Sequence, residues 1–190
     1  NAVATSQFNT TIFEQIIKNG DSALVLTPSA KVSGTYRSAV VAAQDFPGAK
    51  IEVIDTQLIG PALGTVVRMT VDWVNQGVSI EEIKNRIAKL SQRCTIYLYV
   101  DTLEYLFKGG RIGAAKAVAG SVLQIKPILQ FKDGQITQFE SQRTKKRAIA
   151  RLQELVLEQC PRSSESYLAI LESDALPQAE EMKNGFENSL

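Results

Sequence analysis

The sequence contains no histidine. That absence removes Ser-His-Asp and Cys-His nucleophilic catalysis, imidazole ligation of metals and the usual proton shuttle near neutral pH. Cysteine is nearly as scarce. Cys94 lies in an apolar strand-like run and Cys160 at the end of a helical pattern, so the two form neither a disulfide framework nor a metal-ligand cluster. The cytoplasm is the expected location, no metal or cofactor is expected, and no residue presents itself as catalytic. No run approaches the roughly 18 consecutive apolar residues of a membrane-spanning helix, and the N-terminal residues lack a charged-then-apolar signal pattern. A strong charge of one sign is also missing. With 21 basic and 20 acidic residues the formal net charge is +1, so no global field draws the chain to nucleic acid or to a membrane surface.

What is present is an ordinary globular composition, 44% apolar and 22% charged over 190 residues, enough for one large domain or two small ones. Phe8, Ile12, Phe13, Ile16 and Ile17 repeat at helical spacing, and Asn19-Gly20-Asp21 stops that helix. Residues 23–26 predict a strand, the loop and helix after it run to about Ala43, and Ile51-Glu52-Val53-Ile54 predicts a second strand. Together they make one βαβ unit. Helices follow over 61–75 and 80–91, the second opened by the capping box Ser79-Ile80-Glu81-Glu82. A strand is predicted over 95–100. Asp55-Thr56 and Asp101-Thr102 finish strands with polar side chains, near the rim where open parallel sheets hold ligands.

The stretch with most chemical content is Leu24-Val25-Leu26-Thr27-Pro28-Ser29-Ala30-Lys31-Val32-Ser33-Gly34-Thr35-Tyr36-Arg37-Ser38-Ala39. It runs from a buried-strand pattern through a hydroxyl-rich loop into a helix start. Ser33 suits a helix N-cap, Gly34 allows close backbone approach, and the first free amides would lie beside the hydroxyls of Ser29, Ser33 and Thr35. Such a construction suits an anionic oxygen, although a plain cap is the commoner use of Ser-Gly-Thr.

After Leu103 the texture changes. Leu103-Glu104-Tyr105-Leu106-Phe107-Lys108-Gly109-Gly110-Arg111-Ile112 leads to a small-residue helix over 113–123, then a strand over 124–131, an Asp133-Gly134 hairpin turn and a return strand over 135–141. A helix over 144–158, a strand over 166–171 and a last helix over 177–188 complete the pattern. The expected fold is therefore α/β: a parallel-sheet domain over 3–110 and a second α/β module with mainly antiparallel strands over 111–190. Asn1 and Ala2 are set aside as a cloning remnant. Arg143-Thr144-Lys145-Lys146-Arg147 opens an amphipathic helix without interleaved aromatics, which favours a solvated face over a nucleic-acid patch. Asp55 and Asp101 could pair or hold Mg²⁺, but local capping of strand-end loops is the commoner role.

Taken in order, Thr5-Ser6-Gln7, the Ser33-to-Ala39 loop, Asp101-Thr102-Leu103-Glu104-Tyr105-Leu106 with Lys108-Gly109-Gly110-Arg111-Ile112, and Ile125-Lys126-Pro127-Ile128-Leu129 before Asp133-Gly134 resemble the bacterial DegV family. The resemblance covers nearly the whole chain. It implies two α/β domains with a lipid tunnel between them, and a carrier that binds a long-chain fatty acid and presents its carboxylate to a separate fatty acid kinase. The family's carboxylate-holding hydroxyls fall on Thr5, with Ser6, and on Ser33, to which Thr35 is added as a neighbour. Its glycine-flanked arginine falls on Arg111, at the head-group opening or a partner contact. Transient membrane contact for lipid exchange is a further implication. Three departures stand out: Phe8 replaces the usual Pro, and the N-terminal strand with its Asp-Ser pair and the C-terminal His-x-Gly-Pro-Gly segment are lacking.

Energetically the implied ligand makes sense. A tail of about 16 carbons gains on the order of 10 kcal/mol from burial at ~0.8 kcal/mol per methylene, while a carboxylate buried without hydrogen bonds would lose several. Two other readings stand beside the carrier: a phosphoryl- or acyl-transfer enzyme using Asp55, Ser33 or Arg111, for which no base is evident, and a regulatory interaction domain without ligand.

Overall fold

Phe13, buried completely, precedes the short helix α1 (Glu14–Asn19), which stops where Gly20 turns left-handed at φ 73°. The computed structural model describes residues 12–113, 125–164 and 166–190. Strand β1 (Ala23–Thr27) is followed by helix α2 (Thr35–Gln44) and strand β2 (Ile51–Asp55), and the strands pair in parallel from Ala23 opposite Ile51 to Thr27 opposite Asp55. A parallel pair needs a crossover, and α2 supplies it. Helices α3 (Gly60–Asn75) and α4 (Ile80–Arg93) come next.

Strand side chains alternate between two apolar layers, as the pleat requires. Val25 and Val53 pack with Phe13, Ile16, Ala39, Ala42 and Phe46 on one side, where the Phe13 and Phe46 rings meet edge to face with centroids 6.0 Å apart. Leu24, Leu26 and Ile54 pack on the other side with Leu58, Val66, Ile83 and Ile87. Both faces of this small sheet are thus covered by helices, which is why β1 reads as a continuous apolar run, while β2 is interrupted by the exposed Glu52. Ser79 caps α4 by accepting from the Glu82 amide at 3.3 Å, as the capping-box pattern predicts.

Strand β3 (Ile96–Tyr99) pairs antiparallel with β4 (Lys126–Lys132), Ile96 opposite Phe131 and Tyr99 opposite Ile128. The short helix α5 (Glu104–Lys108) follows β3 in the chain. Asp133 and Gly134, at φ 50° and 76°, turn β4 into β5 (Gln135–Gln142), giving the sheet order β3-β4-β5. Two left-handed residues in succession define a type I′ turn, whose twist matches that of the strands it joins. Helix α6 (Lys145–Gln159) starts at Thr144, which accepts from the Arg147 amide at 3.2 Å, and buries Ala148 and Leu155 against Ile128, Tyr97 and Tyr99. Arg151 of α6 grips Glu140 of β5 through two contacts of 3.1 and 3.2 Å. Helix α7 (Leu176–Glu187) buries Met182 and Phe186.

The chain divides into two compact units, Asn1–Cys94 with Asp133–Gln135, and Thr95–Lys132 with Ile136–Leu190. The expected boundary at Gly110 differs from this, because β3 finds its partner in β4 and residues 95–110 therefore join the second unit. The expected strand over 166–171 is not formed. Its residues take no regular secondary structure, Tyr167 and Leu171 are 58% and 75% exposed, and the backbone of 168–171 makes no hydrogen bond among the described residues. An apolar run prepares a strand, but only a neighbouring strand makes one. Residues 8–11 of the first expected helix and 114–123 of the small-residue helix lie outside the described residues.

The two-layer core sets an expectation for unfolding in urea. Ile83→Ala empties a site that is 1% exposed and should cost about 2–5 kcal/mol, whereas Val71→Ala, on a face of α3 that leaves Val71 54% exposed, should stay within about 0.5 kcal/mol. Equal losses would contradict the assignment of the core.

Candidate functional site

The carboxyl ends of β1 and β2 and the loops after them carry four hydroxyl or carboxylate residues, Thr27, Ser29, Asp55 and Thr56, and each is consumed by backbone. Thr27 Oγ1 donates to the Ile54 carbonyl at 3.0 Å, and Thr56 Oγ1 donates to the Thr27 carbonyl at 2.8 Å while accepting from the Leu58 amide at 3.2 Å. Asp55 Oδ1 accepts from the amides of Ala30 and Gln57 at 3.2 and 3.0 Å. Asp55 therefore ties two loops together, the local capping role expected for it. Ser29 is fully buried, and its Oγ donates to the Gly134 carbonyl at 2.6 Å, so it does not join a ligand as the sequence pattern allowed.

Beyond Ser29 the chain folds into a tight turn in which the Ser29 carbonyl accepts from the amides of Val32 and Ser33 at 3.2 and 3.0 Å. That turn delivers Ser33 to the start of α2. The N-cap is Gly34 rather than Ser33: Gly34 sits at φ −76° and ψ −3°, and Ser33 Oγ accepts from the Thr35 amide at 3.3 Å from one position further out. The correction has a physical basis. With Gly34 already turned toward helical angles, the hydroxyl of Ser33 is left lateral to the helix start and lies 3.0 Å from Thr35 Oγ1. The amides of Gly34, Tyr36 and Arg37 make no hydrogen bond among the described residues. Two hydroxyls and three unbonded amides at the positive end of a ten-residue helix are donors suited to an anionic oxygen. Thr5 and Ser6 lie outside the described residues.

Arg111, in the second unit, follows a Schellman motif. The Gly110 amide donates to the Phe107 carbonyl at 3.0 Å and the Arg111 amide to the Leu106 carbonyl at 2.9 Å, with Gly110 left-handed at φ 70°. The exposed guanidinium folds back onto the Gly109 carbonyl at 2.5 Å. Asp101 is engaged locally. Tyr99 Oη donates to one carboxylate oxygen at 2.5 Å, Lys145 Nζ to the other at 2.9 Å, and Lys126 Nζ to the Asp101 carbonyl at 3.2 Å. The Tyr99 and Lys145 bonds hold the Asp101 carboxyl below the usual carboxylate range, while burial, and then the bond to Asp101 and its charge, push the Tyr99 phenol up. Among the described residues no three His, Cys, Asp or Glu side chains converge as metal ligands. Burial raises the Cys94 thiol, which disfavours the thiolate a nucleophile would need.

The model of the family described as "Uncharacterised protein, DegV family" matches residues 1–190. A DegV domain-containing protein of Streptomyces coelicolor is 40% identical over 158 residues, 80% of this chain and 56% of the relative. One from Halalkalibacterium halodurans is 32% identical over 90% of this chain and 60% of its own length. The chain thus spans little more than half of these curated relatives. Among solved structures, a fatty acid binding DegV family protein from Streptococcus agalactiae superposes with a TM-score of 0.87 at 28% identity, over 99% of this chain and 66% of that one. A DegV family protein from Thermus thermophilus, described by its fatty acid binding, gives 0.75 at 31% identity, over 85% of this chain and 57% of that one.

The Asp101 cluster has a pH signature. Because the folded carboxyl is depressed, its contribution to stability is present above the unfolded value near 3.9 and is lost as pH falls through the lower folded value. Acid unfolding followed by circular dichroism should therefore show Asp101→Asn with a flatter stability profile below about pH 4 than the parent chain. Superimposable profiles would mean that the Tyr99 and Lys145 bonds contribute nothing in solution.

Proposed function

We propose that this chain, which belongs to the DegV family, holds the carboxylate of a long-chain fatty acid at the start of α2 and presents it to a separate fatty acid kinase. The observation that carries the reading is the hydroxyl pair of Ser33 and Thr35, 3.0 Å apart beside unbonded helix amides, in a chain whose fold matches proteins described as fatty-acid-binding. Neutral donors suit this task. Hydrogen bonds to a carboxylate contribute about 1.5–3 kcal/mol each without neutralising it, so the oxygen that a kinase must phosphorylate keeps its charge. Thr5 and Ser6 complete the donor set in this reading. The acyl tail supplies affinity, the carboxylate supplies orientation, and the chemistry belongs to the kinase.

Arg111 serves partner docking or product handling rather than lipid affinity, a role that suits an exposed guanidinium raised on a glycine turn. Tyr105 and Phe107, 74% and 56% exposed on α5 beside Lys108, suit a transient contact with a membrane during lipid exchange. The protein would work in the cytoplasm, where such a kinase would meet it.

Native mass spectrometry of the protein as purified should reveal co-purified fatty acid. Ser33→Ala should weaken binding of a free fatty acid by ~1.5–3 kcal/mol and leave that of its methyl ester nearly unchanged, because only the anion loses a donor it needs. A mutant that binds the acid as tightly as the parent removes Ser33 from the site. Arg111→Ala should keep lipid affinity within a few-fold yet lower kinase-coupled turnover. Incubated with ATP, Mg²⁺ and fatty acid but no kinase, the protein should form no acyl phosphate, and any that formed would refute the carrier reading.

A further inference from the structure

The Ser33 turn is held from a place distant in sequence. Ser29 is 0% exposed, and its hydroxyl spends its proton on the carbonyl of Gly134, 105 positions along the chain, at 2.6 Å. Lys31 Nζ, on the same loop, donates to the neighbouring carbonyl of Asp133 at 2.7 Å. Gly134 has no room for a side chain here: a Cβ would fall 2.6 Å from Ser29 Oγ and 3.6 Å from Gln57 Cβ and Lys31 Cδ, at a φ of +76°. The hairpin turn Asp133–Gln135 belongs to the same compact unit as the loop. The other end of Ser29 is as firmly committed. Its amide donates to the Leu58 carbonyl at 2.9 Å, and its carbonyl accepts from Val32 and Ser33.

We infer that Ser29, clasped to the Gly134 carbonyl and backed by the Lys31 to Asp133 bond, is the positioning residue for the Ser33 and Thr35 donor pair. The inference rests on the carboxylate reading for its functional consequence, but the clasp itself is independent of any ligand. A buried hydroxyl bonded at 2.6 Å fixes the Ser29 backbone, and two amides of the turn bond directly to that backbone. The effect reaches the donors through one peptide, because the Ser33 amide that bonds to Ser29 is in the residue whose Oγ faces Thr35. Positioning of this kind matters where a donor must meet a charged oxygen at about 2.7–2.9 Å. It matters little to an acyl tail, whose burial tolerates sliding.

Two measurements test it in the full chain. Hydrogen exchange by NMR on lipid-free protein should show the Val32 and Ser33 amides exchanging about tenfold faster in Ser29→Ala, with the amides of α4 unchanged. Lys31→Ala, an exposed change with no folding risk of its own, should give the same pattern at smaller size. Palmitate and methyl palmitate then read the consequence. Ser29→Ala should lose several-fold in affinity for the acid and none for the ester, and adding Gly134→Ala should cost little more, since both changes break the same clasp. Unchanged exchange at Val32 and Ser33 in both single variants overturns the clasp, and so does an equal loss for acid and ester, the mark of a merely structural role. A parent chain that binds the ester as well as the acid refutes the carboxylate reading instead, while exchange still decides the clasp.

Discussion

The ends of two parallel strands must be closed without leaving buried backbone groups unpaired, and the first unit is organised around that requirement. Thr27 and Thr56, each 1% exposed, answer it by sewing one strand end to the other through side-chain to carbonyl bonds. Ser91 reaches in from α4 to donate to the Thr56 carbonyl at 2.8 Å, and Asp55 collects the amides of the two following loops. Once these groups are committed, few polar side chains on the α2 side of the sheet remain for a ligand. Ser33 and Thr35 stand further along the loop, at the start of α2, with their hydroxyl oxygens 3.0 Å apart.

This division between stitching and presenting hydroxyls explains why composition alone misleads. A hydroxyl-rich strand end looks like a ready-made polar cup, yet Thr27, Ser29 and Thr56 each point into the protein. Their burial is tolerable only because each has found a partner. In the proposed reading the anion site lies instead at the start of α2, where the amides of Gly34, Tyr36 and Arg37 make no hydrogen bond among the described residues.

Much of the fold was legible from residue pattern. The βαβ unit, the capping box at Ser79, the Thr144 helix start and the Asp133-Gly134 turn depend on neighbours in sequence, and local chemistry determines them. Two kinds of feature were not legible. Residues 166–171 form a short apolar run of the kind strands use, but pairing depends on a partner that no local pattern names. The Ser29 to Gly134 bond spans 105 residues, and neither residue type announces it: serine before a helix suggests a ligand, and glycine in a hairpin suggests only a turn. Ser33 and Thr35, proposed as carboxylate donors, stand at a helix start, which has a local signature in sequence. Placing the cap at Ser33 rather than Gly34 failed because Ser-Gly-Thr offers two adjacent residues that can both end a loop.

The alternation along β1 carries a consequence for how this chain can change length. Leu24 and Leu26 serve one layer and Val25 the other, so a single inserted or deleted residue in the strand would exchange the two sets and send each into a space shaped for its opposite. The strand can vary by substitution but not by count. Freedom to lengthen belongs to stretches such as 47–50, where the chain is exposed for most of its course and Gly48 turns at φ 91° with open space around it. A change of length there leaves the spacing between β1 and the Ser33 loop as it is.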